Sequence, residues 1–127
     1  MAFRRFAFEG TTNETLEYMP LDVRRKLDLG GRKLGLAAWQ ALSLADRRAL
    51  CDADEPDFAG LVDRLAPLTP SIPPSSPWRD ADAALAVPRR AGFPAERWEG
   101  LDDAARYALW KVTDPTKLAA AVAELVA

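Results

Sequence analysis

Leu16, Met19, Val23 and Leu27 recur three and four residues apart, the spacing that gathers side chains on one side of a helix. The same period returns in Phe58, Leu61, Val62, Leu65 and Leu68, then in Ala105, Ala108, Leu109 and Val112, and last in Leu118, Ala121, Val122 and Leu125. Alternating β-branched and aromatic residues, the mark of strands, are nearly absent, so the pattern predicts an all-α protein. Punctuation sets the helix ends. Pro20 suits a first helical position, where its missing N–H has no intrahelical partner. Gly30-Gly31 ends that helix near Leu29 by supplying a residue that accepts positive φ. Gly35 precedes a short helix bearing Trp39 and Leu42, and Ser43, with Asp46 three residues on, caps another to Cys51. Asp54-Glu55-Pro56-Asp57 combines a cap, an acidic first turn and an early proline. Further along, Ala81 to Val87 forms a helix ended by Pro88. Pro94 opens one with Trp98 and Leu101, Asp102 caps the next, and Asp114-Pro115 begins the last. Near the start, residues 3–9 read as an extended arm, and residues 12–18 as a helix capped by Thr11 or Thr12.

Residues 67–77, PLTPSIPPSSP, hold five prolines and three serines and exclude both helix and central strand. They read as a surface connection between two helical halves, with Trp78 pinning its end. At this length one domain over residues 1–127 with a shared core is expected, a bundle of six or seven short helices. Trp39-x-x-Leu42-x-x-x-x-Arg47-x-x-Leu50 recurs as Trp98-x-x-Leu101-x-x-x-x-Arg106-x-x-Leu109. The recurrence fits two related helical hairpins; the alternative is the reuse of a common way to end one helix and cap the next, which helical hairpins readily do. Trp39, Trp98 and Trp110 are expected in the core, and Arg47 and Arg106 are expected to bridge helix ends.

Composition narrows the chemistry. Residues 1–35 hold seven basic and five acidic side chains (+2), and residues 36–127 hold ten and fourteen (−4), which sum to the net −2. Nucleic-acid binders carry a stronger basic bias. One cysteine, Cys51, excludes an internal disulfide, and the absence of histidine excludes imidazole catalysis and His-ligated zinc. No apolar run approaches a membrane span, and MAFRRFAFEG is too charged for a secretory signal, so a cytoplasmic location is expected. Gly30-Gly31-Arg32-Lys33 lacks phosphate-loop spacing, and the acidic cluster Asp52, Asp54, Glu55 and Asp57 lacks a calcium loop's central glycine. Asp102-Asp103 reads as a cap and a first-turn residue. No metal, cofactor or catalytic set is expected, and the enzyme reading is disfavoured.

The FAFEG of Phe6 to Gly10, the MPLDVRRKLDLGGRKL of Met19 to Leu34, and Trp39 and Leu42 resemble the nitrate reductase-associated protein family. A second block, Trp98 to Val112 with ARYALWKV, resembles that family's C-terminal signature. The resemblance implies a setting in bacterial nitrate assimilation, near nitrate reductase and molybdopterin synthesis, and no known catalytic activity. Arg24, Lys26, Leu27, Asp28 and Lys33 match its pattern, as does Lys111, whereas Arg25 and Arg32 stand where relatives are apolar.

The most individual chemistry is the cation cluster Arg24, Arg25, Lys26, Arg32 and Lys33. On a helical projection Arg24 and Lys26 flank the apolar stripe and Arg25 points nearly opposite to it. Two readings stay open: a solvated face in which Lys26 pairs with Asp22 and Arg32 with Asp28, or a contact surface. For the second, the candidate residues are Arg24, Lys26, Asp28, Lys33, Arg106 and Lys111. They would meet nitrate reductase or a molybdopterin-pathway protein, with the protein acting as an accessory or chaperone-like factor. The alternative is a small-anion or phosphate-cofactor binder using the same basic helix-turn-helix surface.

Overall fold

Prolines, glycines and short polar caps cut the chain into eight α-helices in the computed structural model, which describes residues 3–127. They are α1 (Thr12–Thr15), α2 (Leu21–Gly30), α3 (Leu36–Ala41), α4 (Leu44–Asp52), α5 (Glu55–Leu65), α6 (Ala81–Ala91), α7 (Asp103–Lys111) and α8 (Pro115–Val126). 3-10 segments lie at Ala7–Glu9, Pro77–Arg79 and Ala95–Gly100. Among the described residues there is no strand, only one antiparallel bridge between Arg32 and Ser71. The protein is all-α, as the periodicity predicts. Among the same residues, no helix is long and apolar enough to cross a membrane.

Several boundaries follow directly from side-chain chemistry. Ser43, Asp102 and Asp114 accept the backbone N–H of Asp46 (3.1 Å), Ala105 (2.7 Å) and Lys117 (3.0 Å), satisfying donors that have no intrahelical acceptor. Others differ from expectation. Pro20 precedes α2 instead of lying in its first turn, and has no side-chain acceptor to offer. The Glu9 carboxylate supplies one, accepting the Leu21 N–H at 2.7 Å. The helix expected over 12–18 stops at Thr15, because Leu16 takes a left-handed conformation with φ 53°. The Thr12 hydroxyl then replaces helical bonds, accepting from the Tyr18 N–H and donating to the Tyr18 carbonyl. Pro88 does not end α6, which runs to Ala91 and closes on Gly92 at φ 71°. A proline removes one donor from the ladder. Here that loss falls near the last turn, and the Pro88 carbonyl still accepts from Gly92 and Phe93.

The chain divides into two compact units, residues 3–5 with 9–75 and residues 6–8 with 76–127, and the boundary falls inside the Pro/Ser-rich stretch. In the first unit α2 packs against α4 and α5. Phe3, Leu16, Met19, Val23, Leu27, Leu34, Trp39, Leu50, Cys51, Phe58 and Val62 form its core. The connection after α5 is extended, as expected, but it is also bonded to the turn that ends α2. Lys33 N–H donates to the Pro70 carbonyl, Ile72 N–H to that of Gly31, and Ser75 N–H to that of Asp28.

In the second unit α6 packs against α7, α8 and the two 3-10 segments that flank it. Val87, Phe93, Trp98, Leu109, Leu118 and Ala121 are buried together. Trp78 is fully buried, more central than a loop anchor, and meets Tyr107 edge-on at 4.7 Å between ring centroids. Its indole N–H donates to Asp103 (2.9 Å), a carboxylate that also takes two bonds from Arg79. Asp103 therefore holds a partner pair as well as a first-turn position. Trp39 and Trp98 are core residues, whereas Trp110 is half-buried at the rim of the Trp78–Tyr107 pair.

The sequence recurrence has a matching geometry. Leu42 N–H donates to Trp39 O and Leu101 N–H to Trp98 O, both at 3.1 Å. Arg47 donates through Nε to Trp39 O and through Nη2 to Gln40 O; Arg106 repeats this with Trp98 O and Glu99 O. Each arginine fork thus closes the segment before its own helix.

Gly31 carries a specific steric demand. It closes α2 at φ 68°, and a Cβ there would collide with the Ile72 carbonyl oxygen while crowding the Pro74 ring. Gly92 has nearly the same φ (71°) but open space around it. Gly92→Ala is expected to cost about 1 kcal/mol from backbone conformation alone, and Gly31→Ala roughly 2–3 kcal/mol once the collision is added. Urea unfolding of the two variants checks the difference.

Candidate functional site

The charged residues of α2 divide between the interior and the surface in a way the helical projection misses. Asp22, Arg25 and Lys26 are all buried, at 1 %, 7 % and 1 % exposure. Arg25, expected to point away from the core, donates through Nε to Asp22 (2.8 Å) and through Nη1 to Glu55 at the start of α5. Asp22 also accepts the backbone N–H of Arg4 at 2.7 Å. A guanidinium can be buried when carboxylates and a backbone donor complete the network around it, and here they do.

Lys26 corrects the expected cationic face most sharply. Its ammonium does not face solvent. It donates to the carbonyls of Leu50 (3.1 Å), Cys51 (2.7 Å) and Ala53 (2.9 Å), where α4 ends, and lies 5.2 Å from the Phe58 ring centroid. Helix ends leave carbonyls without intrahelical donors, and the three ammonium hydrogens meet that need. Burial pulls the Lys26 pKa below the ordinary lysine value, with Asp22 acting in the opposite direction. The neighbouring Cys51 thiol is pushed up to about 12 by burial, against the opposing effect of Lys26. At neutral pH it is a protonated core residue with little nucleophilic character.

The other predicted residues are dispersed. Arg32 is not paired with Asp28; it makes a two-pronged contact with Asp63 of α5, at 2.7 and 2.8 Å. The helix break turns Arg32 away from Asp28 and towards α5. Asp28 is half-buried, and its backbone carbonyl accepts from Gly31 and Ser75. Arg24 and Lys33 are exposed. Arg106, in the second unit, is committed to the Trp98 and Glu99 carbonyls, with its guanidinium 5.7 Å from the Trp98 ring centroid. Lys111 is exposed in the last turn of α7, its ammonium 5.8 Å from the Trp110 ring centroid. Of the six candidate residues, Arg24, Lys33 and Lys111 are the exposed ones.

With that geometry in place, comparison with known families gives one result. Residues 5–61 match the family described as conserved nitrate reductase-associated protein. This is the family that the FAFEG and MPLDVRRKLDLGGRKL blocks resemble. Comparison with curated proteins and with solved structures finds no match. The matched span holds α1 to α4 and part of α5, hence Asp22, Arg25, Lys26 and Glu55 of the buried network and the exposed Arg24 and Lys33. The Trp98 to Val112 block lies beyond it. The family's description gives association with nitrate reductase and names no molecular activity.

Sequence reasoning missed Glu55 and Asp63 as partners of the α2 region. Both lie some thirty residues away, and no local spacing signals such pairs. Lys26→Met would leave three carbonyls at the end of α4 without their donor and should cost about 3 kcal/mol of folding stability. The exposed Arg24→Glu/Lys33→Glu double variant should stay within about 1 kcal/mol of the parent. Chemical denaturation distinguishes the buried from the surface cations.

The Arg32 contact holds the Asp63 carboxyl below its usual value of 3.8. A depressed folded pKa favours the native state above the unfolded value, and the contribution fades as pH falls through the depressed one. Arg32→Gln should therefore return the Asp63 titration, followed by carboxyl NMR, to the ordinary aspartate range. It should also narrow the stability gap between neutral and strongly acidic pH, by a small amount for so exposed a pair.

Proposed function

We propose that this protein is a non-catalytic accessory or chaperone-like factor of nitrate assimilation. It would act in the cytoplasm on a molybdenum-dependent nitrate reductase or on its cofactor loading. The observation that carries the reading is the family match across residues 5–61, a family described by its association with nitrate reductase. The chemistry of that segment supports a contact role. Its buried ionic groups are engaged in holding α2 to α4 and α5, leaving Arg24 and Lys33 exposed to meet acidic groups of a partner. A small-anion site gains less support, because Lys26 and Arg106 already donate to backbone carbonyls.

The test is affinity capture from nitrate-grown cells, comparing the parent with Arg24→Glu/Lys33→Glu at low and moderate salt. Recovery of nitrate reductase or a cofactor-synthesis protein by the parent is expected. Recovery should fall in the charge-reversed variant and with rising salt. If both proteins are folded and neither recovers such a partner, the accessory reading fails.

A further inference from the structure

Helix α6 presents an outward stripe that none of the described residues covers. Asp82, Leu85, Ala86 and Arg89 follow the i, i+3, i+4, i+7 spacing of a single helix face, and all four are exposed. Leu85 is 77 % exposed, second only to Leu68 among the large hydrophobic residues described at the surface. The opposite side of the helix, through Ala83 and Val87, is buried in the second unit. Asp82 and Arg89 stand seven residues apart, about 10 Å along the axis, too far to pair with each other.

The order of these residues is self-complementary. In an antiparallel pair of α6 helices with a twofold axis between positions 85 and 86, Asp82 of each copy lies opposite Arg89 of the other. Leu85 lies opposite Ala86, large against small, which is how facing helices interdigitate. In a parallel pair, Asp82 would face Asp82 and Arg89 would face Arg89. A twofold contact requires that one patch complement itself, and the arrangement on α6 does. We propose that this face docks a second copy of the chain, antiparallel, through Leu85–Ala86 and two Asp82–Arg89 ion pairs. The stripe lies outside residues 5–61, so this proposal does not rest on the nitrate reductase reading.

Two paired helices of eleven residues bury less than the roughly 1,000 Å² of a stable interface, so the association is weak, with Kd on the order of 0.1 mM. Sedimentation equilibrium from about 10 μM to 1 mM should show monomer and dimer in exchange. Leu85→Gln, Asp82→Arg and Arg89→Asp should each weaken it about tenfold or more, with helical circular dichroism unchanged. The decisive measurement mixes the last two variants. Each repels itself, but together they restore both opposite-charge pairs, so the mixture should associate as well as the parent or better. A parent that stays monomeric at 1 mM overturns the proposal, as does a dimer indifferent to Leu85→Gln. A folded mixture that fails to associate overturns the antiparallel register.

Discussion

The first unit depends on a lysine ammonium placed where water would ordinarily be. When α4 ends at Asp52, the next backbone positions take extended geometry, and the carbonyls of Leu50, Cys51 and Ala53 converge. Lys26 reaches them from α2 and satisfies all three. One turn earlier on the same helix, Asp22 gathers the Arg4 N–H and the Arg25 guanidinium, and Arg25 extends to Glu55 on α5. Two adjacent residues of α2 thereby tie it to the end of one helix and the start of the next. Desolvating these groups is unfavourable, and it is offset only because each one has a partner.

This network explains which parts of the structure were legible in the sequence. Helix existence was, because apolar period and capping chemistry are local. Ser43, Asp102 and Asp114 do what their positions suggest, and the Arg47 and Arg106 forks reach carbonyls seven and eight residues back, although Arg47 also donates to Leu16 O, 31 residues away. Most of the candidate site was not. A helical projection ranks side chains by polarity and sends a lysine outward, which is right when no distant acceptor awaits it. The acceptors of Lys26 lie 24 to 27 residues away, Glu55 lies 30 from Arg25, and Asp63 lies 31 from Arg32. Trp78 was underestimated for the same reason, since its burial rests on Tyr107 and Asp103.

Cations sit at several helix ends in this chain. Several helices close without a glycine: α3 at Leu42, α4 at Ala53 and α7 at Val112, while α8 ends beside Ala127. Each receives a long basic side chain on its last carbonyls. Arg47 serves α3 and Lys26 serves α4. Arg90 donates to Leu109, Trp110 and Val112 at the end of α7, and Arg97 to Val126 in α8. Helix α6 closes differently. Its cap is Gly92 in the left-handed conformation, which lets the backbone supply its own donors. Glycine caps and basic caps are two solutions to the same shortage of donors, and the second suits the negative end of the helix dipole.

That division bears on how the surface can recognise anything. Seventeen basic residues in 127 are set against nineteen acidic ones. Once Arg25, Lys26, Arg47, Arg90, Arg97 and Arg106 are assigned to helix ends and buried pairs, the basic surface is thinner than the composition implies. Arg24 and Lys33 stay exposed, whereas a small anion needs several donors converging on one point. Under the proposed accessory role, these two exposed charges would orient a protein partner rather than enclose a ligand.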